Sequence, residues 1–485
     1  MKSKNTLFKN TIYKSMLSFV NIVIPLIIGP YITRLLEPEL YGIYNKNLSV
    51  FQMFLAFASF GIYNFGMREI SKCKNDSKKV SRLFTNLFVF SLVSNILVLI
   101  VYLIYAFSNS SGISLSIYLI FILQFVGNIF YIEFVNEALE NYKFITTKSI
   151  LVKILYFILL ILFVRKPDQI LIYSLIVSFT VFLDHIISFV YAKSKISFDF
   201  SHIEIKKYLK PLLIVFVISN VDLLYSQLDK VMLGKYNSNI SVTVYYIAYF
   251  IVSTLAAIPY SIINVSIPRL SYILKNESKE KYEEKLNNSI SSLLFVIVPI
   301  CLGVFVVAKE IIIIYSGEKY LNAIIPLMVA SVIRIIISME SVMNNLVLFP
   351  NDQENQILKI SFTGGILNLI MNYILVLFKI LTPTTALITT GISELVIFII
   401  YYYYGRVKLN INIKIFTKSN VLYLILGILF IPISFIIRKL NLGFMLTLIL
   451  IILICSLMYF IVLYIKKDNN LCFILSKIKV KLKVG

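Results

Sequence analysis

Long apolar runs, broken by short polar stretches, dominate the pattern of this chain. A helix needs about 20 mainly apolar residues to cross a bilayer. On that measure the pattern predicts about fourteen membrane-spanning helices. The first seven cover Asn10–Leu36, Tyr41–Met67, Leu83–Phe107, Ile113–Leu139, Ser149–Val164, Gln169–Tyr191 and Tyr208–Lys230. The others cover Val242–Ile267, Ile290–Ala308, Leu321–Phe349, Ile357–Leu377, Pro383–Tyr404, Val421–Ile437 and Gly443–Ile465. The basic stretch Met1–Lys9 resembles the start of a signal peptide, but the apolar run continues to Leu36 without a small-residue cleavage site. It is read as a retained first span. The expected fold class is therefore an all-α, polytopic membrane protein.

Composition supports this. Of the 485 residues 59% are hydrophobic and only 14% charged, well above the apolar share of about 45–50% in soluble domains. Such a chain cannot hide its surface from water, so the bilayer is its solvent. The net charge of +22 would point to nucleic acid in a soluble protein. Here the basic residues gather in alternate loops: Arg68 to Arg82 after the second span, Lys193 to Lys210 after the sixth, Arg269 to Lys285 after the eighth, Arg406 to Lys418 after the twelfth. The N-terminus and the tail from Lys466 to Lys483 are basic as well, while Ser108–Gly112 carries no charge. That asymmetry places both termini in the cytoplasm. The aromatic residues lie inside the apolar runs, away from the basic clusters, which excludes nucleic acid as a partner. Membrane lipid is the partner that remains. The tail segment IKVKLKV reads as a basic surface anchor and not as a strand.

Chemistry-bearing residues are few. Four cysteines (Cys73, Cys301, Cys455, Cys472) form no disulfide framework or zinc spacing, and His185 and His202 cannot make a metal site alone. No metal or cofactor is expected. There is no phosphate-binding glycine loop and no large external loop to carry catalysis, so the chain is not expected to be an enzyme.

A weak internal echo links the first span, ending YITRLLEPELYGIY, to the seventh, ending SQLDKVMLGKYN. Arg34 then corresponds to Lys230 and Arg68 to Arg269. Units of six spans enter the membrane from the same side, which is a parallel repeat. The expected division is a six-helix lobe over 1–205, a second over 206–406, and two extra helices with a basic tail over 407–485.

An ionised group at mid-bilayer costs at least about 2.5–3.5 kcal/mol. Arg334 and Glu340 in the tenth span, Asp222, Asp229 and Lys230 in the seventh, Lys153 in the fifth and Glu394 in the twelfth are such groups. So are Asp184 in the sixth, and Glu133 and Glu137, which share a helix face in the fourth. Each could pair with an opposite charge and only hold helices together. As a set they suggest a polar pathway, with Arg334, Arg34, Lys230 and Lys153 as candidate cations and Asp222, Asp229, Glu340 and Glu394 as accompanying carboxylates. Arg334 leads because it lies about 20 Å along its span, too deep to snorkel. Pro25, Gly29 and Pro30 interrupt the first span's hydrogen bonding and predict a hinge.

Several stretches together resemble the Wzx-type flippases that carry polysaccharide repeat units. They are IVIPLIIGPYITRLLEPELYGIYN, FASFGIYNFGMREISK, FYIEFVNEALENYKFITTKSILVKIL, YSQLDKVMLGKYN through SIPRLSYILK, and NNLVLFPNDQENQILKISFTGGILNLIMNYILV. The resemblance runs from about Asn10 to Tyr404. It departs at Asn128–Phe130, where many relatives carry Trp, and at Thr385–Ala386, where many carry Gly-Ala. It implies membership of the multidrug/oligosaccharidyl-lipid/polysaccharide exporter superfamily, with two six-helix lobes about a central cationic cavity and alternating access. It also implies an undecaprenyl-pyrophosphate-linked oligosaccharide as substrate, flipped across the bacterial plasma membrane for capsule or O-antigen assembly, and a polysaccharide polymerase and chain-length machinery as partners. The alternatives are a cation-coupled multidrug exporter, a lipid II flippase and, from another class, a membrane glycosyltransferase or polymerase. The first would be expected to keep a carboxylate inside span one, where none precedes Glu37.

Overall fold

The structure is a computed structural model that describes the backbone of residues 2–484, and all side chains except those of 1–8, 10, 11, 14, 214, 217–219, 221–226 and 478–485. The chain is an all-α multi-pass membrane protein, with no strand among the described residues. Thirteen segments among the described residues, from Ser15–Leu35 to Phe444–Ile465, are long and apolar enough to cross a bilayer. A further helix, Ile205–Tyr236, covers the seventh expected span.

The chain divides into two compact units, Met1–Thr243 and Val244–Gly485. In the first lie α1 (Lys2–Leu35), α2 (Pro38–Ser59), α3 (Ile62–Cys73), α4 (Ser77–Asn109), α5 (Gly112–Ile129), α6 (Glu133–Ala138), α7 (Tyr142–Phe163), α8 (Ile170–Lys193) and α9 (Ile205–Tyr236). The division falls within α10 (Asn239–Asn276). Then follow α11 (Lys279–Val306), α12 (Ala308–Ser316), α13 (Ile324–Val342), α14 (Glu354–Leu377), α15 (Pro383–Tyr403), α16 (Lys418–Ile428), α17 (Phe430–Lys439), α18 (Phe444–Ile465) and α19 (Asn469–Val484). The tail expected as a surface anchor lies within α19.

Local chemistry sets the helix ends. The Asp76 carboxylate accepts the Lys79 amide at 3.1 Å and opens α4. Thr382 and Thr385 form a reciprocal capping box at α15, with Pro383 in the first turn, where its missing N–H costs nothing. The long second span breaks where Phe60 and Gly61 take positive φ (43° and 73°). A Cβ at Gly61 would stand 2.7 Å from the backbone nitrogen of Phe216 on α9, so this corner requires glycine for both its conformation and its contact. The fourth span, expected as one helix, breaks at Phe130–Ile132 and resumes as α6. The tenth ends in a π-helical stretch, Met343–Leu348.

Side-chain burial follows lipid exposure. In α18, Thr447, Ile451, Cys455, Tyr459 and Leu463 recur every fourth residue and are all buried. Ile449, Ile452, Leu453 and Leu457 on the other faces are exposed. In water this would be ruinous. In a bilayer it is a helix with one packed stripe and a lipid-facing remainder. The buried stripe joins the second unit's core, which gathers Leu293, Val298, Leu346, Tyr423 and Phe430. The first unit packs Phe65, Phe84, Leu87, Val135 and Leu212 about the α3–α4 corner.

Candidate functional site

The first unit answers its charges from within. Lys148 on α7 is buried, with 3% of its side chain exposed. Its ammonium reaches Asp184 Oδ2 at 2.8 Å, Glu133 Oε2 at 3.2 Å and Ser188 Oγ at 2.6 Å. The Ser188 hydroxyl also donates to Glu133. Glu137, the other acid on the same face of α6, accepts the Tyr63 hydroxyl at 2.7 Å instead. Lys153, half-buried on α7, donates to the Asn21 amide oxygen on α1. Arg34 is exposed in the last turn of α1. Asp229 is buried near the end of α9, beside half-buried Lys230. The side chain of Asp222 lies outside the described residues. Pro25, Gly29 and Pro30 sit inside α1, which continues as helix through all three. There Thr33 Oγ1 donates to the Gly29 carbonyl at 2.8 Å, a back-bond that favours bending.

The second unit holds Arg334 differently. α13 places it half-buried, one turn before Ser338, whose hydroxyl donates to the Arg334 carbonyl at 2.7 Å. The guanidinium lies over the ring of Tyr260 on α10, 4.8 Å from its centroid, a cation–π contact. Beside it is a cavity of about 10 Å³, lined by Tyr249, Ser253, Arg334, Leu387 and Thr390 among others. The surface open to it is apolar; behind it, Arg334 Nε and Ser253 Oγ of two lining residues are buried and have no hydrogen-bonding partner among the described residues. Both are donors. The cavity is no larger than about one water, and an acceptor oxygen would reach the two donors only if the helices around it moved. Glu340, in the last turn of α13, is half-buried and Glu394 on α15 is buried.

Nearby, α14 and α15 are joined by amides and hydroxyls. Thr389 donates to Asn372 at 2.6 Å, Asn372 to Asn368 at 3.1 Å, and Asn368 to Thr390 at 3.3 Å. Thr390 thus belongs to both this chain and the Arg334 cavity. On the same unit, Arg438 grips Glu310 through both guanidinium arms, at 2.5 and 2.9 Å.

Sequence reasoning missed two members of these groups. Lys148 fell just outside a fifth span expected to begin at Ser149, but α7 begins at Tyr142 and carries the lysine inside. Tyr260 is 74 residues from Arg334 and carries no local signal.

The fold is shared with membrane proteins of known structure. It resembles the lipid II flippase MurJ in its inward closed conformation, with TM-score 0.69 and 15% identity over 94% of this chain and 100% of that one. It also resembles an inward-facing multidrug resistance MATE family transporter of the MOP superfamily, with TM-score 0.59 and 13% identity over 83% and 94%. At those identities the likeness is one of fold. A profile of the polysaccharide biosynthesis protein family matches residues 7–274, more than half of the chain, and the chain belongs to that family. It is also 25% identical over 400 residues to the "Putative O-antigen transporter" of Escherichia coli (strain K12), covering 80% of this chain and 94% of that protein. The resemblance carried by the span-end motifs agrees with this membership.

Proposed function

We propose that this protein flips an oligosaccharide carried on undecaprenyl pyrophosphate across the bacterial plasma membrane by alternating access, and that Arg334 binds the pyrophosphate. The observation that carries the reading is the pair of donors, Arg334 Nε and Ser253 Oγ, that have no hydrogen-bonding partner among the described residues and belong to residues around one small cavity. A cation held in hydrocarbon with no carboxylate paired to it among the described residues needs an anion or water. A pyrophosphate is such an anion, and its bare crossing of the bilayer would be prohibitive. Arginine suits it through a planar donor fork. The cavity is too small for a phosphate, so binding requires α10, α13 and α15 to part, a movement that alternating access would supply. The E. coli relative, an O-antigen transporter by name, supports the substrate class. Arg34, Lys230 and Lys153 are the further cations of the proposal, Asp222, Asp229, Glu340 and Glu394 its accompanying carboxylates, and Pro25–Pro30 its hinge.

The test is translocation of a fluorescent undecaprenyl-pyrophosphate oligosaccharide in proteoliposomes, with lipid II as a second substrate. Arg334→Gln is expected to lower transport at least about tenfold, the scale of one lost charge-assisted contact of about 1.5–3 kcal/mol. Arg334→Lys is expected to keep part of it. Replacing Pro25 and Pro30 by Ala is expected to slow it. Undiminished transport by Arg334→Gln would remove the phosphate role, and preferential transport of lipid II would remove the substrate.

A further inference from the structure

Away from these buried cations, the first unit has a larger cavity, of about 450 Å³. It lies at the corner where α3 gives way to α4 and where the chain leaves α6 and α8. Lys74, Ser77 and Lys78 line one side, Lys195, Ser197 and Asp199 another. Val80, Ile196, Leu139 and Phe198 form an apolar wall continuous with the unit's core.

The charges do not cancel. Asp199 is held by Arg82 at 3.0 Å and by Ser201. Those hydrogen bonds, Ser201's first, keep its carboxyl down at about 2, so it is ionised at neutral pH and already engaged by Arg82. Lys74 meets Glu140 at 2.8 Å in an exposed pair, worth little and easily exchanged. Among the described residues Lys195 is held only by neutral groups, the Tyr191 hydroxyl at 2.6 Å and the Asn141 amide oxygen at 3.4 Å. Lys193 stands 3.9 Å from the centroid of the Phe198 ring. Lys78 enters no ion pair among the described residues. Counting the lining with its partners, Lys74, Lys78, Lys195 and Arg82 face Asp199 and Glu140, which leaves two positive charges over. Positive-inside topology explains basic loops, but it asks for charge only. It does not ask for a concavity with hydroxyls at its mouth and an apolar wall.

We propose that this cavity binds the phosphate of an anionic membrane phospholipid, with Lys78 and Lys195 as its cations and the apolar wall beside the glycerol and first acyl carbons. Basic pockets between membrane helices are suited to such headgroups. The loops concerned are those whose charge places them at the cytoplasmic leaflet. The site is independent of Arg334, and its test does not depend on transport.

The experiment is native mass spectrometry of the purified full-length protein, titrated with phosphatidylglycerol or phosphatidylcholine. One phosphatidylglycerol should be retained, and phosphatidylcholine released. Lys78→Gln with Lys195→Gln should weaken phosphatidylglycerol retention at least about tenfold. Lys279→Gln with Lys281→Gln, the same charge change in the second unit, should not. Ser197→Asp, which adds an anion at the mouth and deletes no lysine, should reproduce the loss and so guards against misfolding of the double variant. Equal retention of the two lipids, equal loss in the control pair, or unchanged retention in Ser197→Asp would overturn the proposal. Displacement of phosphatidylglycerol by millimolar inorganic phosphate would assign the cavity to a soluble anion and overturn it too.

Discussion

Lys148 in the first unit and Arg334 in the second are both cations held inside a membrane protein, yet their surroundings are opposite. Lys148 touches two carboxylates and a serine within 3.2 Å. Arg334 has a tyrosine ring beneath it and a nitrogen with no acceptor among the described residues. The second unit can satisfy an arginine: Arg438, with 35% of its side chain exposed, holds Glu310 by two arms. The bare donor at Arg334 is therefore a property of that place and not of the unit. A buried cation with its partners built in tells of folding. A half-buried one whose Nε has no partner among the described residues is where the anion proposed above would act.

The largest effect expected is at Lys148. Lys148→Met leaves Glu133 and Asp184 with no cation between them, at a cost of about 3–5 kcal/mol. Most of the variant should be lost from the membrane fraction, and adding Asp184→Asn should recover part of it. Normal yield and melting temperature for Lys148→Met would break the comparison. Next comes Arg438→Gln, which strands the buried Glu310 and should cost about 2–3 kcal/mol in a thermal melt. Arg334→Gln in the same assay should fall by less, because it gives up the contact with Tyr260, about 0.5–2 kcal/mol, but abandons no carboxylate partner among the described residues. A melt in which Arg334→Gln falls as far as Arg438→Gln would make Arg334 structural. The smallest effect is expected at Tyr260. Tyr260→Leu removes a cation–π contact worth about 0.5–2 kcal/mol and should lower proteoliposome transport only a few-fold, against the larger loss in Arg334→Gln. No change in transport would show that the ring does not position the guanidinium.

The spans were legible because hydropathy is a property of the run and survives errors at its ends. Their interruptions were not. The Phe60–Gly61 corner turns on two backbone angles and on a neighbour some 155 residues away, Phe216, which no local window contains. Lys148 was misplaced for a physical reason: hydropathy ends a span where charge begins, but a lysine with two carboxylates can be carried inward, and α7 starts two turns earlier than the apolar run. Arg334 was legible, since depth along an apolar helix is countable. Its tyrosine platform and the serine that shares its cavity were not, because they belong to a different helix. Fourteen hydrophobic runs also give no sign of the hydroxyl and amide chain joining α14 to α15, whose residues are individually unremarkable.

Gly61 bears on how motion is handed on within the first unit. A joint with a side chain between its parts can absorb displacement by a change of rotamer. Here the backbone of the α2–α3 corner lies directly against the backbone of α9, with 2.7 Å from where a Cβ would be to the nitrogen of Phe216 and 3.1 Å to the carbonyl oxygen of Leu212. At Gly61 itself no side chain lies between them, and the rings of Phe57 and Phe60 pack on Phe216 alongside. A shift of α9 at this level is transmitted to the corner without slack, and the corner works as a bearing surface where most helix contacts are cushions.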